Sequence, residues 1–476
     1  MSDDRSTHTH GQRVTEPTTV EHPLDQLTAA EIARARELLV AADLLGASVR
    51  VAQLLPLDPD KAWLAAWTPG AEIERRVEVV LLDTSDGTSQ IAVVALHGAG
   101  AVEHSRAIDT ATEGQPQYLF EEYDRAASIA KASEGWQAAM RRRGLEDRIE
   151  LAFCAPLAPG FFGREEEANK RVIRSLTFLR DHESDSPWAH PVEGLIVHID
   201  LSSGSVIRVE DEGDVPVPAG HGNYGADAQG PARTTLKPIS ITQPEGPSFA
   251  VDGSLVTWEN WSFRVGFNQR EGLVLNQLTF RDGGEEREVL HRASVPEMVV
   301  PYGDTAPGRY WISYFDAGEY LLGKNANSLT LGCDCLGVIH YFDGFVPDDQ
   351  GNPVKIPQVV CMHEEDYGIL WKHTDLDGKT EVRRSRRLVI SYFATIGNYD
   401  YGFFWYLYLD GTVQLEAKAT GIVFSSAGIP GSTNPHAPEI APGVFAPVHQ
   451  HLFCARRDTA IDGQAPKVRT WGKEVN

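Results

Sequence analysis

From about residue 245 onward, the chain consists of short segments in which apolar and polar residues alternate, separated by Gly, Asp and Asn turns. The stretch FAVDGSLVTWENWSFRVGFNQREGLVLNQLTFRDGG shows this pattern, and almost no long helical period follows it. Because successive side chains of a strand point to opposite faces, such segments bury one face and pair with antiparallel neighbours. The pattern therefore predicts that residues 245–476 form a large antiparallel β-sandwich.

Residues 21–105 have a different sequence pattern, which predicts a helix followed by paired strands. Thr28 and Glu31 have the spacing of a capping box at a helix start. The helix has four apolar positions at helical spacing, which are Ile32, Ala35, Leu38 and Leu39. Strand-like runs follow at 77–84 and 91–98, with a Ser-Asp-Gly turn between them. These elements predict a small α+β domain.

Residues 115–225 repeat this organisation. A helical stretch around Phe120 to Arg143 precedes three strand-like runs, at 149–157, 175–181 and 194–211. The likeness of the two regions suggests a duplicated α+β module. Gly, Pro and Ala are then frequent without periodicity, so residues 226–244 are predicted to be a linker. The polar residues 1–20 are predicted to be disordered.

Charge and composition exclude two classes of partner. Asp plus Glu number 67 against 43 Lys plus Arg, for a formal net charge of −24, whereas binding to a phosphate backbone needs a basic patch. We therefore expect no nucleic-acid partner. No apolar run approaches the length of a membrane span, so we also expect no membrane insertion.

The N-terminal sequence MSDDRSTHTHGQRVTEPTT lacks a basic start followed by an apolar run, which predicts a cytoplasmic protein. The five cysteines are few and scattered, and the cytoplasm ordinarily keeps thiols reduced. On these grounds, the simplest expectation is that all five are reduced.

Three segments contain residues able to carry chemistry. In the first, His449-Gln450-His451, an extended backbone would place both imidazoles on one face, where they can bind one metal ion. A copper or zinc site needs a further ligand from elsewhere, so two satisfied or solvent-facing histidines are an equally simple interpretation. The spacing alone does not decide between the two.

The second segment is Thr395-Ile396-Gly397-Asn398-Tyr399-Asp400-Tyr401, which opens an aromatic run that continues to Tyr408. Aromatic residues are abundant in core strands, and the pattern alone favours a sandwich interior. In the third segment, Asp316 follows the strand-like run Tyr310–Phe315 and precedes Gly318. A carboxylate in this position is either an ordinary turn residue or a desolvated general base with a raised pKa.

In this order, the three segments resemble the motifs of the copper-dependent primary amine oxidases. The likeness includes the motif Thr-x-x-Asn-Tyr-(Asp/Glu) at Tyr399, the aspartate of YFDAGEYLLG, the VPYGD segment around Tyr302 and HQHLF. It continues through CDCLG and CMHEEDYGILWKHTD and extends from residue 22 to residue 463. The resemblance implies an α+β protein, with two small α+β domains followed by a catalytic β-sandwich.

The resemblance also implies a reaction. In that family, bound copper and dioxygen oxidise the motif tyrosine, here Tyr399, to a topaquinone that forms a Schiff base with a primary amine. The residue matching Asp316 then removes the α-proton as a general base. The products are an aldehyde, ammonia and hydrogen peroxide, with dioxygen as the oxidant, and no nicotinamide or flavin is required. The substrates are accordingly a primary amine and dioxygen.

Two further residue roles rest on the resemblance alone. Tyr302 matches the tyrosine that hydrogen-bonds the quinone, and Asn398 the residue that helps to orient its ring. Tyr314 is a candidate gate or channel residue beside the substrate, because it stands two residues before Asp316 and therefore on the same face of a strand. The resemblance also implies a Cys335–Cys361 disulfide and a homodimer.

Family members bind copper through three histidines, whereas no histidine follows His451 in this sequence. His449 and His451 are therefore the expected copper ligands. We expect the sandwich to be incomplete at its C-terminus, copper binding to be weak and activity to be reduced or lost. The alternatives are an inactive remnant, a sandwich that binds a carbohydrate or another ligand through its aromatic residues, and a zinc hydrolase. Neither of the last two gives His449, Asp316 and Tyr399 a common role.

Overall fold

The computed structural model describes residues 20–213, 215–461 and 463. The tail predicted at 1–20 lies outside this part of the chain except for its last residue, and so does nearly all of the sequence after residue 461. The described residues are mostly β-structure, arranged in five sheets, and their helices all lie before residue 230. None of these helices has both the length and the apolar character needed to cross a membrane.

The first sheet is antiparallel, with the strand order β1-β2-β3-β4, and it packs against helix α1. Thr28 caps α1 through the predicted capping box with Glu31. The side chains of Ile32, Ala35 and Leu39, all on this helix, are buried. The elements are α1 (Ala29–Ala41), β1 (Val49–Pro56), α2 (Lys61–Ala66), β2 (Arg76–Asp83), β3 (Ser89–Ala95) and β4 (Ala101–Ala107).

The second sheet repeats this arrangement, with the antiparallel order β5-β6-β7-β8. The helix predicted at 120–143 is two helices, because Ser133 ends the first and caps the second. The elements are α3 (Phe120–Ala132), α4 (Glu134–Arg142), β5 (Phe153–Leu157), β6 (Val172–Phe178), β7 (Pro191–Asp200) and β8 (Ser205–Asp211). Three short 3-10 helices lie at Glu146–Arg148, Glu165–Glu167 and Pro187–Ala189. Between residues 212 and 248, the described chain has one helical turn, α5 (Ala226–Gln229).

A seven-stranded antiparallel sheet forms one half of the sandwich. Its order is β14-β13-β12-β11-β10-β9, and the last strand of the described chain, β23, also pairs with β13. The elements are β9 (Phe249–Asp252), β10 (Leu255–Trp258), β11 (Trp261–Asn268), β12 (Gly272–Asp282), β13 (Glu285–Pro301), β14 (Ser313–Phe315) and β23 (Leu452–Thr459).

The second half of the sandwich is a five-stranded sheet with the order β15-β16-β17-β18-β19. Its elements are β15 (Ile339–Pro347), β16 (Pro353–Thr374), β17 (Thr380–Ile396), β18 (Tyr399–Tyr408) and β19 (Val413–Gly421). A small sheet with the order β20-β22-β21 follows, formed by β20 (Ser426–Ala427), β21 (Glu439–Ala441) and β22 (Val444–Phe445).

Residues of both large sheets share one apolar core, which includes Leu275 and Val300 from the first sheet and Ile390 and Phe403 from the second. The indole N–H of Trp261 ties the sheets together by donating to the carbonyl of Tyr408 at 2.7 Å. Cys335 and Cys361 form a disulfide, while Cys154, Cys333 and Cys454 are free. The expectation of five reduced thiols therefore fails for this pair.

Candidate active site

Tyr399 is the first residue of β18, directly after the turn that joins β17 to β18. Gly397 takes the left-handed conformation that the turn requires, with φ +61°. The side-chain amide of Asn398 donates to the carbonyl of Ile422 at 2.6 Å, and the N–H of Ile422 donates to the carbonyl of Asn398 at 2.7 Å. These bonds fix the turn and hold Tyr399 at the end of the five-stranded sheet.

Hydrogen-bonding groups surround the hydroxyl of Tyr399. It lies 3.0 Å from His449 Nε2 and 3.1 Å from the hydroxyl of Tyr302, and it accepts from the backbone N–H of Phe424 at 3.3 Å. His449 Nδ1 lies 2.8 Å from the carbonyl of Pro447, which can only accept, so the proton of a neutral ring is on Nδ1. Nε2 of His449 is therefore an acceptor pointed at Tyr399.

The two histidines lie just before β23, and His449 forms an isolated antiparallel bridge with Tyr302. This segment still continues the pairing with β13, because Gln450 N–H donates to the carbonyl of Pro301. The rings of His449 and His451 are 5.0 Å apart between centroids, and that of His451 is 5.1 Å from the ring of Tyr399. Tyr302 stacks on His449 at 4.6 Å. The seven-stranded sheet thus presents both imidazoles to Tyr399.

The chemistry of this donor pair suits a copper ion. Burial, together with the neighbouring His449, lowers the pKa of His451 to about 4, so its imidazole is neutral, which is the form that binds metals. Imidazole nitrogens are preferred ligands of copper. Within the described residues, no third His, Cys, Asp or Glu donor joins the pair to form a cluster of metal-binding size.

Asp316 follows β14 and is 3% exposed. Burial raises the pKa of its carboxyl group to about 7; a hydrogen bond from Tyr401 opposes this rise and the charge of Glu297 adds to it. Its backbone N–H donates to the carbonyl of Met298 at 3.1 Å, which fastens the turn to β13. The carboxyl group is therefore desolvated, as one of the two sequence interpretations supposed, and a small change in pH changes its protonation.

Tyr401 connects Asp316 to the histidine pair, a role that sequence reasoning missed. Its buried hydroxyl is hydrogen-bonded to Asp316 and lies 3.2 Å from His451 Nδ1. The available signal was the spacing of two along β18, which puts Tyr401 on the same face as Tyr399. By sequence pattern alone, Tyr401 is one of the aromatic residues of the sandwich core.

Two further carboxylates near Asp316 were also missed. Glu297 accepts from the backbone N–H groups of Ala317 and Gly318, both at 3.1 Å, and its other oxygen lies 3.1 Å from Arg270. Burial raises the pKa of Glu319 to about 8, and its carboxyl group accepts from the N–H of Phe315 at 3.0 Å. Both carboxylates brace the turn that carries Asp316.

Tyr314 lies on β14, and its ring meets those of Tyr302 and Tyr320 edge to face at 6.3 and 6.2 Å. Asp316 lies beyond the end of that strand, in the following turn. In the part of the chain described, the buried hydroxyl of Tyr314 has no hydrogen-bond partner. Tyr314 therefore packs against Tyr302, which in turn contacts Tyr399.

Comparison with known proteins places this site in a family. The model "Copper amine oxidase, enzyme domain" matches residues 250–472, "AGAO-like N2 domain" matches 28–105, and "Copper amine oxidase, N3 domain" matches 121–227. The primary amine oxidase of Arthrobacter sp. (strain P1) is 47% identical over 446 residues, which are 93% of this chain and 68% of that protein. The chain belongs to the copper amine oxidase family.

Other relatives agree with this assignment. The histamine oxidase of Arthrobacter globiformis is 50% identical over 450 residues, which cover 94% of this chain and 65% of that protein. The copper-containing benzylamine oxidase of Hansenula polymorpha has a similar structure, with a TM-score of 0.83 and 28% identity over 93% of this chain and 71% of that one. The chain thus spans about two thirds of the length of the relatives it matches.

The cofactors of the copper amine oxidase family are copper and topaquinone, and membership of this chain in the family supports both. The relatives are named as oxidases, so the comparisons do not favour an inactive remnant, a ligand-binding sandwich or a zinc hydrolase. The enzyme-domain match extends to residue 472, beyond residue 463, where the sequence resemblance ended.

Proposed function

We propose that the chain catalyses the oxidative deamination of primary amines to aldehyde, ammonia and hydrogen peroxide, with dioxygen as the oxidant. The observation that carries this proposal is the meeting of Tyr399 with two imidazoles. The hydroxyl of Tyr399 is 3.0 Å from His449 Nε2, and the ring of His451 is 5.1 Å from that of Tyr399. This arrangement supports a proposal in which Tyr399 is oxidised beside copper held by the two histidines, and Asp316, linked to His451 through Tyr401, is the base.

Within this proposal, Tyr399 is the precursor of the topaquinone, and His449 and His451 are copper ligands. When formed, the quinone supplies an electrophilic carbonyl for the amine and accepts the electrons removed from it. Tyr302 and the N–H of Phe424 hold the oxygen of Tyr399 in place, at 3.1 and 3.3 Å.

Asp316 is the general base that takes the α-proton of the amine. Its burial keeps water away, and a pKa of about 7 lets it both accept and release a proton near neutral pH. Asn398 orients the Tyr399 ring by fixing the turn to Ile422. Tyr314 borders the space for the substrate, since its ring packs against that of Tyr302 beside the site.

The quinone assignment is tested on the copper-loaded chain. We expect a visible chromophore that reacts with phenylhydrazine, because hydrazines attack the same carbonyl as amines do. Tyr399→Phe should remove it, whereas Tyr406→Phe, on the same strand with its hydroxyl bonded to Glu416, should keep it. A hydrazine-reactive chromophore that persists in Tyr399→Phe, or none in the unmodified chain, would contradict the proposal.

We also propose a homodimer, because the long hairpin of β16 and β17 exposes many large apolar side chains. They are Tyr367, Ile369, Leu370, Trp371, Leu376 and Val382. A patch of this kind marks an interaction surface.

For architecture, we propose α+β domains at 21–105 and 115–225, a linker at 226–244 and the catalytic sandwich at 245–476. A cytoplasmic location is a proposal from the N-terminal sequence alone. A tobacco diamine oxidase among the relatives is named peroxisomal, so imaging of a tagged chain must separate these two compartments.

A further inference from the structure

A second group of metal-binding side chains lies around the disulfide. The sulfur atoms of Cys335 and Cys361 and a ring nitrogen of His363 all lie within 4.8 Å of one another, and all three residues are buried. Cys361 and His363 are two residues apart on β16 and therefore share one face of the strand, while Cys335 comes from the loop before β15. Two sulfurs and one imidazole are the donor set that zinc prefers.

Glu365, the next residue on the same face of β16, orients the ring of His363. His363 Nε2 lies 3.4 Å from Glu365 Oε1. The other carboxylate oxygen of Glu365 lies 2.7 Å from Arg387. With the carboxylate beside Nε2, Nδ1 is the ring nitrogen that faces the two sulfur atoms. This is the second-shell pattern in which a carboxylate orients a metal-binding histidine.

The Nδ1 atom of His363 lies next to a sulfur atom of the disulfide. Nδ1 lies 3.4 Å from Cys361 Sγ, and the sulfur of a disulfide has no hydrogen to donate. Nδ1 therefore faces the buried bridge directly. Reduction of the disulfide would give this nitrogen either a thiol or a metal ion to bind.

We propose that the reduced Cys335–Cys361 pair and His363 Nδ1 together bind one Zn²⁺ ion, with water at the fourth position. A phosphine supplies the two electrons that break the S–S bond and is itself oxidised to the phosphine oxide, with water providing the oxygen. The two thiols then release their protons to solvent as the sulfurs bind zinc. Reoxidation by hydrogen peroxide, which takes up the two electrons and two protons and becomes two water molecules, re-forms the S–S bond and releases the metal ion. Metal binding therefore reports the redox state of this pair.

The test uses Co²⁺ as a zinc analogue, because thiolate-to-cobalt charge transfer absorbs in the near ultraviolet and imidazole ligands alone do not give this band. The phosphine-reduced chain should develop the band with one equivalent of Co²⁺, and Zn²⁺ should displace it. The oxidised chain should not develop it. This signal is independent of any cobalt at His449 and His451 and of amine turnover.

Matched variants assign the ligands. His363→Gln should weaken Co²⁺ binding at least tenfold, and Glu365→Gln should weaken it by about 10-fold to 100-fold, as expected for loss of an orienting partner. His373→Gln is the control, because His373 is on the same strand and pairs with Asp375 at 2.9 Å but is exposed. It should bind like the unmodified chain.

Cys333→Ser removes the exposed thiol two residues from Cys335, and it should keep both the band and the affinity. Three results would overturn the proposal: no thiolate band in the reduced chain, full affinity in His363→Gln, or loss of the band in Cys333→Ser. Circular dichroism of each variant before the titration confirms that it is folded. Because the readout is thiolate absorption, the zinc site can fail while the proposed amine oxidation stands, and the reverse also holds.

Discussion

At the scale of single residues, the site depends on what burial does to Asp316. A carboxylate in water has a pKa near 4, whereas that of Asp316 is about 7 because the folded chain withdraws it from solvent. A hydrogen bond from the Tyr401 hydroxyl favours the charged form of this carboxyl group. Catalysis should therefore respond to pH through Asp316, and this group should also contribute to the pH dependence of folding stability.

We expect the slope of log kcat/KM against pH to be greater by one below about pH 7 than above it, because protonated Asp316 cannot accept the α-proton. Tyr401→Phe should move this break to higher pH, since the lost hydrogen bond had favoured the ionised form. Steady-state peroxide release between pH 5.5 and 8.5 measures it, with Tyr406→Phe as the control. A break that moves to lower pH would contradict the assignment.

Asp316→Asn should abolish most turnover and yet stabilise the fold at alkaline pH. A raised folded-state pKa means that the folded chain holds its proton more tightly, so stability falls as pH rises from about 4 to 7 and stays reduced above that. An amide does not ionise, so the variant does not lose this stability as the pH rises. We expect the free energy of unfolding of Asp316→Asn to exceed that of the unmodified chain by roughly 1–4 kcal/mol at pH 8, and by little near pH 4.5. Urea unfolding at both pH values measures the difference. An equal gain in stability at the two pH values would show that burial of the ionised carboxylate is not the cause.

At the scale of elements, the position of Tyr399 depends on how β18 and β19 end. Gly421 ends β19 opposite Tyr399 with φ +91°. A Cβ there would stand 2.7 Å from the carbonyl oxygen of Asn398 and 2.8 Å from the N–H of Asp400. Only glycine fits this close approach. The sheet end is therefore specified by a residue outside the Tyr399 motif.

Gly421→Ala should lower stability by roughly 1–3 kcal/mol and slow quinone formation, because the Tyr399 turn must move. Gly431→Ala is its matched control: its φ is +75°, but a Cβ there meets nothing within 4 Å. The control should show only the smaller cost of the left-handed backbone. Urea midpoints and the rate of chromophore appearance compare the two, and equal effects would show that the contacts with Asn398 and Asp400 do not matter.

The hairpin of β16 and β17 carries the proposed dimer surface. Leu370→Lys and Trp371→Lys, at residues 50% exposed, should weaken self-association at least tenfold, because each places a charge in an apolar contact. Leu236→Lys, in the predicted linker and 73% exposed, is the control and should leave association unchanged. Sedimentation equilibrium over a concentration series measures this. A monomeric unmodified chain would rule out the dimer.

At the scale of the whole molecule, the second small sheet is built into the sandwich. Phe178 and Ile196 belong to the same core as the strands of the large sheets. Arg309 places its guanidinium 2.7 Å from Glu193 of β7, and that carboxylate also accepts from Ala427 N–H at 2.9 Å. The two parts should unfold together rather than one by one.

Arg309→Met should therefore cost roughly 3–5 kcal/mol, because it leaves a partly buried Glu193 without its cation. Arg383→Met breaks an exposed pair with Glu381 and should cost less than about 1 kcal/mol. Urea unfolding followed by tryptophan fluorescence and by circular dichroism checks both. Separate transitions in the unmodified chain would contradict the coupling.

The sequence by itself determined the local features. The capping box of Thr28 and Glu31 depends on neighbours three residues apart, and the strands on a period of two, so the start of α1 and most strand positions could be predicted. The motif around Tyr399 likewise identified the family. Ser133 shows the limit, because a cap in the middle of a helical pattern made two helices from one.

Only the tertiary structure decided which groups share the site. In sequence, Tyr399 is roughly 50 residues from His449 and farther from Tyr302 and Asp316. The packing of one sheet on the other brings these residues together. Neither local propensity nor spacing records that packing. The raised pKa of Asp316 and its bond to Tyr401 follow from it, since desolvation belongs to the folded core. The same holds for the cluster of Cys335, Cys361 and His363, which forms only because a loop brings Cys335 to β16.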